Sequence, residues 1–253
     1  MKHLSLFSGI GGLDLAAEWA GFETVGQCEW ADFPTKVLEK HWPDVPRWRD
    51  IHELSADEFV RRTGVKDLTV ISGRFPCQPH SVAGKRKASC DERDMWPEMR
   101  RVIGDIKPRW VVAENVPGLL TSEDGRFFRG VLRDFAEMGY SGGWGVTSAA
   151  GAGAIHKRER VAIVAHSNSK RLQRRLPEKE QQKTDEQFER ARLYLLRSAN
   201  TQYLSESAIL RKFNGVPSRV DRTKCLGNAV VPQQFCPIFK AIADIEENTN
   251  GLL

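Results

Sequence analysis

No apolar run in this 253-residue chain approaches the roughly 20 residues needed to cross a bilayer. The stretch from Met1 to Gly9 is apolar too briefly for a signal peptide, and no small-residue cleavage site precedes the first strand pattern. These absences point away from integral-membrane and secreted classes, toward a cytoplasmic monomer with no membrane partner. Cysteine pairing is missing too. Cys28, Cys77, Cys90, Cys225 and Cys236 are odd in number, scattered, and never in C-x-x-C spacing. That excludes a disulfide framework and a structural zinc site, so free thiols and no metal are expected. Internal repeats and low-complexity tracts are also lacking.

Two local absences matter more. Between Lys157 and Arg175 the only acid is Glu159, set against Lys157, Arg158, Arg160, Lys170, Arg171, Arg174 and Arg175. A one-signed stretch of this kind suits a polyanion such as nucleic acid, although a solvated face is the ordinary alternative. From Pro177 to Arg192 aliphatic side chains nearly vanish. Such a segment buries little surface and reads as an exposed helix or a loop.

What is present is alternation. His3 to Phe7, Glu23 to Cys28, Leu68 to Ser72, Arg109 to Glu114, Trp144 to Ala149 and Arg160 to His166 read as strands. Between them, Gly12 to Ala20, Pro34 to Trp42, Ala56 to Thr63, Glu92 to Asp105 and Gly125 to Met138 have helical spacing, and Ser55-Ala56-Asp57-Glu58 reads as a capping box. Helical periodicity returns at Tyr203 to Phe213 and at Gln233 to Ile245. The fold class this predicts is α/β, a doubly wound and mostly parallel sheet, Rossmann-like, with a small polar insertion. Three parts are expected: 1–166 as a catalytic, cofactor-binding domain, 167–214 as a short insertion, and 215–253 as a return segment completing the first part.

Open α/β sheets bind ligands at the carboxyl ends of their strands. Cys77 falls there, in Gly73-Arg74-Phe75-Pro76-Cys77-Gln78-Pro79-His80-Ser81 after the run Leu68 to Ser72. A thiol so placed is either a nucleophile held by a proline-stiffened loop or a small buried side chain. Phe7-Ser8-Gly9-Ile10-Gly11-Gly12 joins a strand to a helix start, letting a ligand approach backbone amides. The next strand ends at Glu29-Trp30, an acid placed to hold ribose hydroxyls beside a ring able to stack on a purine. The glycine spacing differs from the dinucleotide fingerprint, and no second nucleotide-binding half follows. Asp50-Ile51 is a weaker candidate for the adenine amine, with a solvated loop acid the alternative. Glu114 ends a further strand on the same edge. Alternation puts Arg158 and Arg160 on one face as the chain enters the following strand, suited to a phosphate or a carboxylate cluster. Gly227-Asn228-Ala229-Val230-Val231-Pro232-Gln233 reads as a turn leading into a Pro-initiated helix.

As an ordered set, Phe7 to Gly12, Pro76-Cys77-Gln78, Glu114-Asn115-Val116, Arg158-Glu159-Arg160 and Gly227 to Gln233 resemble the cytosine-C5 DNA methyltransferase family, in its usual order and across nearly the whole chain. The resemblance implies S-adenosylmethionine held by Phe7, Ser8, Gly9, Gly11, Gly12, Glu29, Trp30, Asp50, Ile51, Pro76, Asn228 and Val230. It implies double-stranded DNA as partner, touched by Gln78, Ser81, Lys170, Arg171, Arg174 and Arg175, with the target cytosine rotated out of the helix. It assigns catalysis to Cys77, Glu114, Arg158 and Arg160, with Cys77 adding to C6 of the base. The resemblance departs at His156, where the family usually has Gln, and in the shortness of the recognition segment. An RNA-directed relative acting on tRNA and a catalytically impaired cofactor- or DNA-binding remnant are the competing readings.

Overall fold

The computed structural model describes residues 1–76, 94–167 and 229–250. Strand and helix alternate through β1 (Lys2–Leu6), α1 (Gly12–Trp19), β2 (Glu23–Cys28), α2 (Asp32–His41), β3 (Arg47–Trp48), α3 (Ala56–Thr63), β4 (Val70–Gly73), α4 (Trp96–Ile106), β5 (Trp110–Asn115), α5 (Arg126–Glu137), β6 (Tyr140–Ser148), β7 (Glu159–Ser167) and α6 (Pro232–Asn250). The strands form one sheet in the order β3-β2-β1-β4-β5-β7-β6. From β3 to β5 every pairing is parallel, and β7 runs antiparallel to both β5 and β6. This is the doubly wound, mostly parallel architecture that the alternation predicts. The expected helix at Tyr203 to Phe213 lies outside the described residues.

The central strands are buried on both faces because helices cover both. Successive side chains of a strand point to opposite sides, and the chain uses this to divide its core in two. Leu4, Leu6, Ile71, Val111, Ala113, Ile163 and Ala165 pack with Phe59 of α3, Met99 and Ile103 of α4, and Val131 and Phe135 of α5. Val70, Trp110, Val112, Ala162 and Val164 pack with Leu13 and Ala17 of α1 and Phe235, Phe239 and Ile242 of α6. The last helix is therefore a structural layer. It is also pinned by polar contacts, Trp110 Nε1 donating to Glu246 Oε1 at 2.8 Å and Arg109 Nη1 pairing with Glu246 Oε2 at 3.0 Å.

Local signals explain the ends. Ser55 Oγ accepts from the Glu58 amide at 3.2 Å, which caps α3. The reciprocal half of the predicted box is absent, because the Glu58 carboxylate instead pairs with Arg61 and Arg62 one turn on. β6 starts four residues earlier than the apolar pattern suggests, since Tyr140-Ser141-Gly142-Gly143 has weak strand propensity. Gly142 is required there: a Cβ on it would lie 2.0 Å from the Val164 carbonyl oxygen across the ladder. β3 is only two residues long and escapes periodicity altogether. It nevertheless places Trp48 in the core, where Phe59 meets one side and the Arg62 guanidinium lies 4.9 Å from its ring.

Candidate active site

Five parallel strands bring their carboxyl ends to one rim. At the end of β1, Phe7 takes a positive φ of 51°, a costly conformation for an aromatic residue that turns the chain abruptly into the glycine turn. Ser8 closes this turn onto the neighbouring strand, its amide donating to the Cys28 carbonyl at 3.0 Å. Glu29, one residue past β2, accepts from the Gly9 amide and the Ala31 amide, both at 2.8 Å. The acid and the turn are thus locked together before any ligand arrives. Gly9 has open space where a Cβ would project, and Trp30 beside it is 73 % exposed. A cradle with room, a carboxylate and an uncovered indole fit an adenosine-bearing cofactor such as S-adenosylmethionine. Asp50 caps the short 3₁₀ turn Ile51–Glu53 by accepting from the His52 amide at 2.9 Å, and this bond and the His52 ring hold its carboxyl below the usual range. Ile51 is buried in the core, so any ligand contact it makes is through the main chain.

The return segment meets the same turn. A Cβ on Gly12 would lie 2.4 Å from the Val230 carbonyl oxygen, a distance that main-chain atoms cannot yield cheaply. Gly12→Ala is therefore expected to cost about 1–3 kcal/mol of stability by overpacking and to weaken S-adenosylmethionine binding, read by thermal unfolding and cofactor titration. Unchanged values in both would show that the two segments separate freely.

Glu114 lies on the same rim, fully buried. Arg160 Nε stands 3.0 Å from Oε1 and Arg74 Nε 3.1 Å from Oε2. Burial pushes the Glu114 pKa up, against Arg74, Arg160 and Arg158, which pull it down. The net direction is upward, toward an acid that keeps its proton to higher pH. Among the described residues, none gives either carboxylate oxygen a well-aligned hydrogen bond. Next to it, Asn115 Nδ2 donates to the Phe75 carbonyl at 3.0 Å, fastening the chain that leaves β4 to the end of β5.

The two arginines predicted to act as neighbours on one face have different targets. β7 begins only at Glu159, and Arg158 before it has φ 32°, so strand alternation does not reach back to it. Its Nη2 donates to the Ala229 carbonyl, while Arg160 turns to Glu114. Gln234 completes this clamp, its buried Nε2 donating to the Arg158 carbonyl at 2.9 Å. Arg74, Asn115 and Gln234 have roles that sequence reading missed, because each is defined by a partner tens of residues away. Cys77, Gln78, Ser81, Lys170, Arg171, Arg174, Arg175 and Asn228 lie outside the described residues. Pro76 is the last described residue before Cys77, and its carbonyl accepts from the Met95 amide at 3.2 Å. Among the described residues no helix is long and apolar enough to cross a membrane, and no group of three His, Cys, Asp or Glu could hold a metal ion.

Known proteins resemble this chain in sequence and in fold. The chain is 35 % identical over 165 residues to Type II methyltransferase M.FnuDI of Fusobacterium nucleatum, spanning 65 % of this chain and 46 % of that protein. It is 29 % identical over 174 residues to Type II methyltransferase M.HhaI of Haemophilus parahaemolyticus, spanning 68 % of this chain and 51 % of that protein. The chain thus spans about half the length of these curated relatives. Among solved structures, Entamoeba histolytica methyltransferase EhMeth shares the fold with a TM-score of 0.63 at 14 % identity, covering 96 % of this chain and 98 % of that one. The Schizosaccharomyces pombe Dnmt2 methyltransferase superimposes with a TM-score of 0.52 at 24 % identity over 66 % of this chain and 51 % of that one. The family model described as C-5 cytosine-specific DNA methylase matches residues 1–214, and the chain belongs to that family.

Proposed function

We propose that this chain transfers a methyl group from S-adenosylmethionine to C5 of a cytosine in double-stranded DNA. The observation that carries this reading is the buried Glu114 between Arg160 and Arg74, on one rim with the Phe7 to Gly12 turn and fastened through Asn115 to the chain that leaves β4. We further propose that 1–166 and 215–253 act together as the catalytic part, with 167–214 reading the DNA. Lys170, Arg171, Arg174 and Arg175 supply phosphate contacts, which position a duplex without specifying sequence.

The chemistry starts from the inertness of cytosine C5, which becomes nucleophilic only when the 5,6 double bond is converted to an enamine. The base leaves the stack because C5 and C6 are otherwise covered by neighbouring bases. Cys77 thiolate bonds to C6, and the π electrons of the 5,6 bond move into the ring. Glu114, whose affinity for a proton burial raises, donates to N3 as that negative charge develops, and its other oxygen accepts from the exocyclic amine. Arg160 orients the base and, with the other nearby cations, favours the ionised thiol. The cofactor, when bound, supplies an electrophilic methyl on a sulfonium, which C5 takes up. A base then removes the C5 proton, the 5,6 double bond re-forms, Cys77 departs as thiolate, and N3 returns its proton to Glu114.

Duplex DNA containing 5-fluorocytosine tests this, because fluorine at C5 cannot leave as a proton does. The expected result is a denaturant-resistant protein–DNA adduct that requires S-adenosylmethionine and disappears in Cys77→Ser. Labelled cofactor incubated with unmodified duplex DNA and with tRNA assigns the substrate. Adduct-free wild type with no label in DNA would overturn the reading, and label in tRNA alone would replace DNA by RNA.

A further inference from the structure

Arg74 is the first residue after β4 and opens the loop that carries Pro76 and Cys77. It meets Glu114 on the oxygen opposite the one facing Arg160, so each side of a single buried carboxylate is covered by a different cation. The two arrive from separate parts of the fold, Arg160 from the start of β7 and Arg74 from the nucleophile's side. The Arg74 side chain is 27 % exposed against 12 % for Arg160, which puts it nearer the mouth of the site.

We propose that Arg74 is a positioning residue, which braces Glu114 on the oxygen away from Arg160 and ties the chain leaving β4 to β5. The proposal rests on the reading of Glu114 as the group that meets the cytosine ring.

The bracing is doubled. Arg74-Phe75 and Glu114-Asn115 are joined twice, by the ion pair at 3.1 Å and by Asn115 Nδ2 donating to the Phe75 carbonyl at 3.0 Å. The Phe75 ring packs against Trp96 with centroids 5.2 Å apart, which fixes the stem from the opposite side. Of the three cations that oppose the effect of burial on Glu114, Arg74 has the largest influence. Its removal therefore leaves Glu114 protonated to still higher pH, whereas loss of a purely structural brace leaves proton occupancy as it was.

The test compares kcat, KM and their pH dependence for wild type, Arg74→Gln and Arg74→Lys on duplex DNA. S-adenosylmethionine titration and 5-fluorocytosine trapping are run on the same preparations. Arg74→Gln is expected to lower kcat about tenfold or more, to leave cofactor affinity within about twofold of wild type, and to move the alkaline limb to higher pH. Arg74→Lys keeps a cation but loses the planar fork, so the limb returns toward wild type and part of the rate is recovered. A wild-type rate and limb in Arg74→Gln, or a lower rate with an unmoved limb and no rescue by lysine, overturns the proposal. If Arg74→Gln does not bind cofactor, Arg74→Lys decides: a lowered kcat supports the role and a wild-type kcat overturns it. Trapping by wild type separates the two claims, since no adduct sinks the reading of the site itself, while an adduct with an unaltered limb sinks only Arg74.

Discussion

Glu114→Ala is expected to lower methyl transfer by about 10²–10⁴-fold, the usual contribution of a positioned acid. The same change should also destabilise the protein. Removing one partner of a buried ion pair leaves the other charged and poorly solvated, at a cost of about 3–5 kcal/mol when both are fully enclosed. Here Arg160 is nearly enclosed and Arg74 partly open, so the cost falls toward the lower end of that range. Against a total of about 5–15 kcal/mol this is large, and it confounds a simple activity assay. Glu114→Gln separates the two effects, because an amide keeps the side chain's shape and fills its space while removing the transferable proton. Both variants are expected to bind S-adenosylmethionine, whose cradle at Phe7 to Gly12 and Glu29 is built from other residues. Activity within a few-fold of wild type in Glu114→Gln, in protein shown to be folded by thermal unfolding, would remove Glu114 from the mechanism.

The second large effect concerns stability and acid. His3 is wholly buried in the middle of the sheet, with Nδ1 2.9 Å from Thr24 Oγ1 and Nε2 2.7 Å from Ser72 Oγ. Burial lowers its pKa from 6.5 to about 3. Asp14 is equally buried on α1, accepting from Ser5 Oγ at 2.9 Å and Gln27 Nε2 at 2.8 Å, and burial raises its pKa from 3.8 to about 6. Their signs oppose. Below pH 6.5 the unfolded chain gains a proton at His3 that the fold refuses, so this stability is lost as pH falls, up to about 5 kcal/mol near pH 3. Between pH 6 and pH 4 the fold instead gains a proton at Asp14 that the unfolded chain does not yet take, so stability returns, up to about 3 kcal/mol. Across that window the two cancel. Asp14→Asn should therefore become less stable by about 1.4 kcal/mol for each pH unit lost between 6 and 4, and His3→Gln should become more stable at about the same rate, both relative to wild type. Urea unfolding at half-unit pH steps measures this. Parallel curves for the three proteins would show that neither buried group titrates as its surroundings dictate.

Much of the arrangement is legible in the sequence where chemistry is local. Glu23–Cys28 and Ala56–Thr63 are bounded as their patterns indicate, because one ends in a turn acid and the other has a serine cap and a following glycine. Glu29 and Glu114 could be placed on the working rim because each follows an apolar strand whose direction the alternation fixes. Illegible parts depend on distant partners or on weak local signals. Arg74 lies in a loop by every local rule, yet its role comes from a carboxylate on β5. Arg158 reads as the twin of Arg160 until its left-handed backbone and its bond to Ala229 separate them. The Gly142-Gly143 pair hides the first half of β6, since close approach to Val164 is a tertiary demand that propensity opposes.

The reversed direction of β7 has a consequence for the chain that follows it. The chain leaves β7 at Ser167, paired with Tyr140, and is next described at Ala229 beside Arg158, at the opposite end of that strand. Nine residues at about 3.3 Å each separate these points by about 30 Å, a gap that a tether of roughly nine extended residues spans. On the proposed division, length beyond that minimum within 167–214 is not needed to hold the carboxylate or the glycine turn, which are built from residues on either side of it. The reversed strand thus sets a minimum length, about 30 Å, for whatever joins Ser167 to Ala229.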